Sequence, residues 1–434
     1  MKVSFYTLGC KVNQYESNIM QQAFRNFGYD VVEFGLESDV VVIHTCAVTE
    51  ESARKSRQIM RRAKRLNPQS VIAVVGCLVQ VDNLDLFSQA DVLVGNDHKR
   101  SLPEYIGQYL QTGQRVVVVG DIGHVQNFEP SCLQEDVHTR AMVKVQDGCN
   151  NFCSYCIIPY ARGRIRSKKL EDAVSEIQSL VARGYHEIVL TGIHLDSYGK
   201  EHGQYDLCDL ILAVNQILGL TRLRLGSLEP IFISEQNLER LRQADKLCHQ
   251  FHLSLQSGCD RTLKAMNRHY TSHDYETAVN RLREAFADTA VTTDIIVGFP
   301  GETDADFSES LSFAQKIQFA KIHVFPFSPR KGTRAYEMPE QVVTEVKKER
   351  CAQMLQVAHC SEQRFLQSLI GQSVEVLMEQ RKDGQYVGYT ANYAEVRLES
   401  KQDLRNQFVW VEVCAAEDGY CVGRLQKKEK NGII

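Results

Sequence analysis

Three cysteines stand in one short run, Cys149-Asn150-Asn151-Phe152-Cys153-Ser154-Tyr155-Cys156. Thiolates separated by three and then two residues can grip one face of an iron–sulfur cube, and three ligands leave one iron of a [4Fe–4S] cluster open to a substrate. A zinc ribbon would bring a second Cys or Cys/His pair nearby, and the neighbouring sequence has none. Three more cysteines, Cys10, Cys46 and Cys77, are far apart, yet each follows an apolar run by one to three residues. Parallel strands of an open α/β sheet deliver their carboxyl ends to one edge. Three strand-end loops would then converge on one crevice, giving a second set of three thiolates with an open coordination position. Of the fourteen cysteines, Cys208, Cys248, Cys351, Cys360, Cys414 and Cys421 read as small buried hydrophobes. Cys132 sits in a linker with no assigned role, and Cys259 in a strand-end loop near the presumed site.

Elements that must position these residues follow from periodicity. Apolar runs at Val3–Leu8, Val40–His44, Val71–Val75 and Val92–Val94 predict buried parallel strands. Helical patterns at Gln14–Phe27, Val48–Leu66 and Arg100–Gln111 alternate with them. The fold class is α/β, with an open α/β amino-terminal domain over residues 1–115. A linker at 116–134 leads into a core over residues 135–366. That core repeats strand then helix six times, with strands at Met142–Gln146, Glu187–Thr191, Arg222–Leu225, Phe251–Leu255, Thr293–Val297 and Ile322–Phe325. Six units predict a partial (β/α)6 barrel, and the first cysteine run follows its first strand. A polar helical stretch, Val342–Leu369, precedes five short β runs in residues 369–434, a spacing that suits a small five-stranded β-barrel.

The cysteine run resembles the signature of radical S-adenosylmethionine enzymes. The resemblance implies an open iron that binds the cofactor's methionine part, and one-electron cleavage to a 5′-deoxyadenosyl radical. It places Tyr155 against adenine and the Thr191-Gly192 turn near the methionine ammonium. Gln256 and Ser257 reach the ribose, and Ile296 and Gly298 approach adenine through their backbone. Glu229 reads either as a polar cofactor contact or as a satisfied turn residue. The segments Thr7-Leu8-Gly9-Cys10-Lys11-Val12-Asn13-Gln14, His44-Thr45-Cys46-Ala47 and Gly76-Cys77-Leu78 resemble the amino-terminal domain of methylthiotransferases, and the last barrel looks like their TRAM domain. With all three parts in order, the resemblance covers nearly the whole chain. It implies an auxiliary [4Fe–4S] cluster on Cys10, Cys46 and Cys77 beside the radical cluster on Cys149, Cys153 and Cys156. It also implies two uses of S-adenosylmethionine, an external electron donor and a source of replacement sulfur.

Three targets are known for such enzymes: isopentenyladenosine in tRNA, threonylcarbamoyladenosine at tRNA position 37, and a ribosomal-protein aspartate. The opening Leu8-Gly9-Cys10-Lys11-Val12-Asn13-Gln14 looks most like the threonylcarbamoyladenosine type. A net charge of −4 gives no global attraction to nucleic acid, so RNA contact must come from local basic patches. One is Arg54, Lys55, Arg57, Arg61, Arg62, Lys64 and Arg65, beside Cys46. Another is Arg162, Arg164 and Arg166 with Lys168 and Lys169, after the radical motif. Either can instead be a solvated face, and Arg162 can instead serve the cofactor or the active site. An iron–sulfur carrier without radical chemistry is the rival of a different class. No apolar stretch is long enough to cross a bilayer, the amino terminus reads as strand and turn rather than a signal peptide, and a cytoplasmic location is expected. Oligomeric state is not written in the sequence.

Overall fold

The computed structural model describes residues 1–136 and 139–426, so residues 427–434 of the expected carboxy-terminal barrel and two positions after the linker lie outside the described residues. The chain forms two compact units, one of residues 1–219 with 328–338, the other of residues 220–327 with 339–434.

In the first unit, β1 (Lys2–Thr7), β2 (Asp30–Val32), β3 (Val40–Thr45), β4 (Val71–Gly76), β5 (Val92–Val94) and β6 (Val116–Val118) form one sheet in the order β2-β1-β3-β4-β5-β6. All its neighbours are parallel. Every residue of β3 and β4 is buried, as near-continuous runs of β-branched residues require when both sheet faces are covered. α1 (Lys11–Asn26) and α4 (Leu102–Thr112) cover one face, packing Met20, Phe24, Leu102 and Ile106 on Val3, Val42 and Val94. α2 (Glu50–Leu66) and α3 (Cys77–Val81) cover the other, with Ile59, Met60 and Leu78 against Ile43 and Val74. α2 begins at Glu50 rather than Val48 because Thr49 caps it, its side chain accepting from the Ser52 amide. The edge strands β2 and β6, only three residues each, add to the four expected strands. β6 also moves the sheet into the expected 116–134 linker. The later part of that linker is anchored: Leu133 is buried against Tyr15 and Ile19, and the Tyr15 hydroxyl donates to Ser131 Oγ at 3.0 Å.

The strand–helix alternation then resumes. β7 (Ala141–Lys144) leads to β8 (Gln146–Asp147), α5 (Ile158–Arg162), β9 (Arg166–Ser167), α6 (Leu170–Ala182), β10 (Glu187–Thr191) and α7 (Leu207–Asn215). β10 pairs parallel with β7, and β8 pairs antiparallel with β9. In the second unit come β11 (Arg222–Leu225), α8 (Glu235–Leu241), β12 (Gln250–His252), α9 (Asp260–Ala265), α10 (Ser272–Ala285), β13 (Ala290–Val297), α11 (Asp304–Ile317) and β14 (Lys321–Pro326). β12, β13 and β14 run parallel side by side. Capping boxes start α10 (Thr271 with Asp274) and α11 (Thr303 with Asp306). The six steps β7, β10, β11, β12, β13 and β14 match the expected (β/α)6 count.

α12 (Thr344–Ser368) leads to β15 (Ser373–Lys382), β16 (Gln385–Thr390), β17 (Glu395–Leu398), β18 (Gln407–Glu417) and β19 (Tyr420–Leu425). These close a barrel in the order β15-β16-β17-β19-β18 around Val376, Met378, Val396, Leu398 and Val411. Two buried arginines of β11 reach it. Arg222 donates to the backbone carbonyls of Tyr389 (3.0 Å) and Glu375 (2.7 Å), and Arg224 to those of Ala391 (2.7 Å) and Thr390 (2.6 Å). Among the described residues, no helix is long and apolar enough to cross a membrane.

Candidate functional site

Cys10, Cys46 and Cys77 sit at the carboxyl ends of β1, β3 and β4, which are neighbours in the sheet. Thr45 and Gly76 are register partners, so Cys46 and Cys77, the residues after them, leave the sheet at the same level. Cys10 caps the start of α1 and Cys77 opens α3. Gly9 has a φ of 105°, and a Cβ there would lie 2.9 Å from the Cys46 Cβ and 3.1 Å from its Sγ. Only glycine takes that backbone without strain, and it lets the Cys10 loop lie directly against Cys46. Burial, then the neighbouring Cys77, push the Cys46 thiol up to about 11. Desolvation also raises the Cys10 thiol, and a bound metal centre reverses that preference by favouring the thiolate. The donor set fits an iron–sulfur group.

The second set occupies one loop. The β8–β9 ladder pairs Asp147 with Arg166 and closes the base of the segment between them. Within it the Cys149 amide donates to the Gly163 carbonyl at 3.1 Å, and the Cys156 amide to the Cys153 carbonyl at 2.9 Å. Gly148 (φ 71°) has no room for a Cβ, which would run into the Arg164 backbone. Tyr155 is half-buried. The Thr191-Gly192 turn is joined to this loop by Gln146. Its amide donates to the carbonyls of Asp147 and Gly148, both at 2.8 Å, and its oxygen accepts from the His194 amide at 2.7 Å. The segment 328–338 also belongs here, since the Ala335 amide donates to the Ser154 carbonyl and Arg330 pairs with Glu50 at 2.8 Å.

In the second unit, the expected cofactor residues of β12 and β13 gather at their strand ends. The Gln256 amide donates to the Asp294 carbonyl and its carbonyl accepts from the Ile296 amide. Ser257 is buried, its hydroxyl accepting from the Cys259 amide at 3.2 Å. At Gly298 (φ 71°) the space a Cβ would fill is taken by the Lys347 side chain. Glu229 pairs with Arg268 at 2.8 Å, which favours the satisfied turn residue of the two readings. Cys259 packs with its thiol 3.4 Å from Asp306, a structural setting.

The second basic patch requires correction. Arg162 and Arg166 are buried, at 1% and 5% exposure, and cannot meet RNA phosphates. Arg162 pairs with Glu16 (2.9 Å) and Asp147 (3.1 Å), and donates to Asn13 Oδ1 at 2.6 Å. Arg166 lies 3.6 Å from Asp147. Lys168 is buried on Glu176, leaving Arg164 and Lys169 exposed, with Arg164 over the Phe152 ring. The first patch divides into paired and exposed side chains. Arg54 is paired with Glu51, and Arg57 with Glu50 and Asp82. Lys64 donates to the Ser70 carbonyl, and Arg62 lies over Phe34. Lys55, Arg61 and Arg65 are exposed.

Around Glu16 lies a network that sequence reasoning missed. Lys99 (2.5 Å), Lys144 (2.6 Å) and Arg162 all pair with this one buried carboxylate. Burial alone would raise its pKa, but Arg162, Lys144 and Lys99 together hold it well below the usual carboxylate range. The available signal was polar residues on the inward stripe of α1, where Asn13, Glu16 and Ser17 are buried beside Val12 and Met20.

Residues 143–314 match the Radical SAM superfamily, and residues 2–95 match a group described as Uncharacterized protein family UPF0004. Fold and motif thus define a radical S-adenosylmethionine protein, which implies an iron–sulfur cluster and that cofactor. The threonylcarbamoyladenosine tRNA methylthiotransferase MtaB of Bacillus subtilis is 37% identical to this chain, the match covering 99% of the chain and 98% of the relative. The chain belongs to the radical S-adenosylmethionine methylthiotransferase family. The tRNA-2-methylthio-N(6)-dimethylallyladenosine synthase of Clostridium beijerinckii is 34% identical over 97% of this chain and 95% of its own. Among solved structures, the radical S-adenosylmethionine methyltransferase TsrM from Kitasatospora setae shares the fold, with a TM-score of 0.56 at 16% identity. That match covers 74% of this chain and 72% of TsrM.

Proposed function

We propose that this chain attaches a methylthio group to C2 of N6-threonylcarbamoyladenosine at position 37 of tRNA, with two [4Fe–4S] clusters and S-adenosylmethionine as both methyl donor and radical source. Cys149, Cys153 and Cys156 would hold the radical cluster, and Cys10, Cys46 and Cys77 the auxiliary one. The observation that carries the reading is the gathering of three widely separated cysteines at adjacent strand ends. The core of that same unit also takes in Ile157 and Ala161, just beyond the radical motif. The first cluster would supply the electron that cleaves the cofactor, and the second the sulfur.

The chain's own residues do the positioning. Gly148 and the β8–β9 ladder fix the shape of the radical loop, and Gln146 holds the Thr191-Gly192 turn to it. Gly9 sets the Cys10 loop on Cys46. Arg162 and Glu16 lock α1 to α5 through a buried ion pair. Lys55, Arg61 and Arg65 of α2, with the exposed Arg164 and Lys169, are the surface cations of the two patches left to meet tRNA phosphates. An external electron donor and a sulfur source complete the cycle.

The choice of target rests on the opening Leu8-Gly9-Cys10-Lys11-Val12-Asn13-Gln14 and on the MtaB relatives. Mass spectrometry of tRNA nucleosides from a strain lacking the gene tests it. The methylthio form of threonylcarbamoyladenosine should vanish and its unmethylthiolated precursor accumulate. Loss of the methylthio form of isopentenyladenosine instead would transfer the assignment to that base.

A further inference from the structure

Against the loops of Cys10, Cys46 and Cys77 lie two buried asparagines whose orientation is dictated by charge. An ammonium or a guanidinium has only donors to offer. Lys99 Nζ lies 3.0 Å from one side-chain atom of Asn96, which must therefore be its oxygen. The Asn96 amide nitrogen is then turned to Cys77 Sγ at 3.3 Å and to the Ala161 carbonyl at 2.7 Å. The same logic holds at Asn13. Arg162 meets its oxygen at 2.6 Å, so its nitrogen faces the carbonyls of Leu8 at 2.7 Å and Thr45 at 3.1 Å. Those carbonyls belong to the loops that carry Cys10 and Cys46. Both orienting cations are anchored on Glu16, Lys99 at 2.5 Å and Arg162 at 2.9 Å. One buried carboxylate therefore sets two amides, and each amide serves the cysteine loops.

An N–H directed at a metal-bound thiolate stabilises the added negative charge of the reduced centre and raises its potential. We propose that Asn96 is a positioning residue of the auxiliary site, donating to Cys77 Sγ and thereby raising the reduction potential of the group held by Cys10, Cys46 and Cys77. Asn13 acts differently, its nitrogen clamping the Cys10 and Cys46 loops together while its oxygen lies 3.8 Å from the Cys10 thiol. Because Asn96 also holds the Ala161 carbonyl, the residues that follow the radical motif are fastened to the amide that tunes the other site. This rests on the two-site reading of the preceding section.

The test uses the full chain with Cys149, Cys153 and Cys156 all replaced by Ala, so that only the auxiliary group remains, reconstituted anaerobically and titrated for its midpoint potential. Asn96→Leu keeps the volume and removes the donor. Asn96→Asp keeps the shape, removes the donor and adds a negative charge. Both should shift the midpoint downward at unchanged iron content, Asp further than Leu. An unmoved midpoint in both variants overturns the proposal. Loss of the group from variants whose melts show them folded overturns it too, because retention rather than tuning would then be the role of Asn96. Failure of the parent triple variant to bind iron would bring down the two-site reading, and this inference with it.

Discussion

Cys149, Cys153 and Cys156 come from one loop closed at its base by a two-residue ladder, whereas Cys10, Cys46 and Cys77 are collected from three loops by a six-stranded sheet. The compact set depends on local geometry: a glycine at 148, the bond from Cys149 to Gly163, and the turn between Cys153 and Cys156. The dispersed set depends on the register of β1, β3 and β4 and on a buried charge network that no short segment contains. A local site tolerates damage elsewhere in the fold, while a collected site inherits every weakness of the sheet that collects it.

The largest effects should come from dividing the sites. Cys153→Ala should abolish cleavage of S-adenosylmethionine, whereas Cys46→Ala should keep it and lose the methylthio product. Counting 5′-deoxyadenosine and modified nucleoside in the two reconstituted variants checks this, and equal loss of cleavage in both would erase the distinction. Next comes Arg162→Gln. Breaking one side of a buried ion pair leaves Glu16 and Asp147 under-compensated, at a cost of about 3–5 kcal/mol. A thermal melt should show a large drop, while Arg61→Gln on the exposed face of α2 leaves the melt unmoved.

A smaller effect is pH-dependent. The folded-state pKa of Glu16 lies below its ordinary value of 4.5, so its contribution is present above pH 4.5 and is lost as pH falls further. The wild-type melting temperature should therefore decline on acidification below that value. Glu16→Gln should start lower at neutral pH and show a shallower acid limb. The smallest effect belongs to the surface: Lys55→Gln with Arg61→Gln should weaken tRNA binding and flatten the dependence of log affinity on log salt, by about one unit of slope for each phosphate no longer neutralised. A slope unchanged by the double variant would remove α2 from the RNA interface.

The same contrast between local and collected features governs what could be read in the sequence. Strand and helix positions in the first sheet were legible from runs such as Val40–His44, because a strand buried on both faces must be apolar at every position. The five strands of the last barrel were legible from their spacing. β2 and β6 were not, since three residues at a sheet edge carry too little pattern to separate from a loop. The cysteine sets were visible because thiols at strand ends are chemically conspicuous. Arg162 and Arg166 misled, because a run of basic residues reads as solvated surface unless its buried counter-charges are known. Those counter-charges, Glu16 and Asp147, sit far from each other in sequence. Gln146 and Asn96 offered no signal: an amide matters here only for what it is aimed at.

The two arginines of β11 grip the last barrel through main-chain oxygens of Glu375, Tyr389, Thr390 and Ala391. A peptide carbonyl is the same acceptor whatever side chain its residue bears. At Tyr389, Thr390 and Ala391 the attachment is therefore independent of which side chain the residue bears, whereas at Glu375 the carboxylate also pairs with Arg222 at 3.1 Å, so that one position ties the mount to a particular side chain.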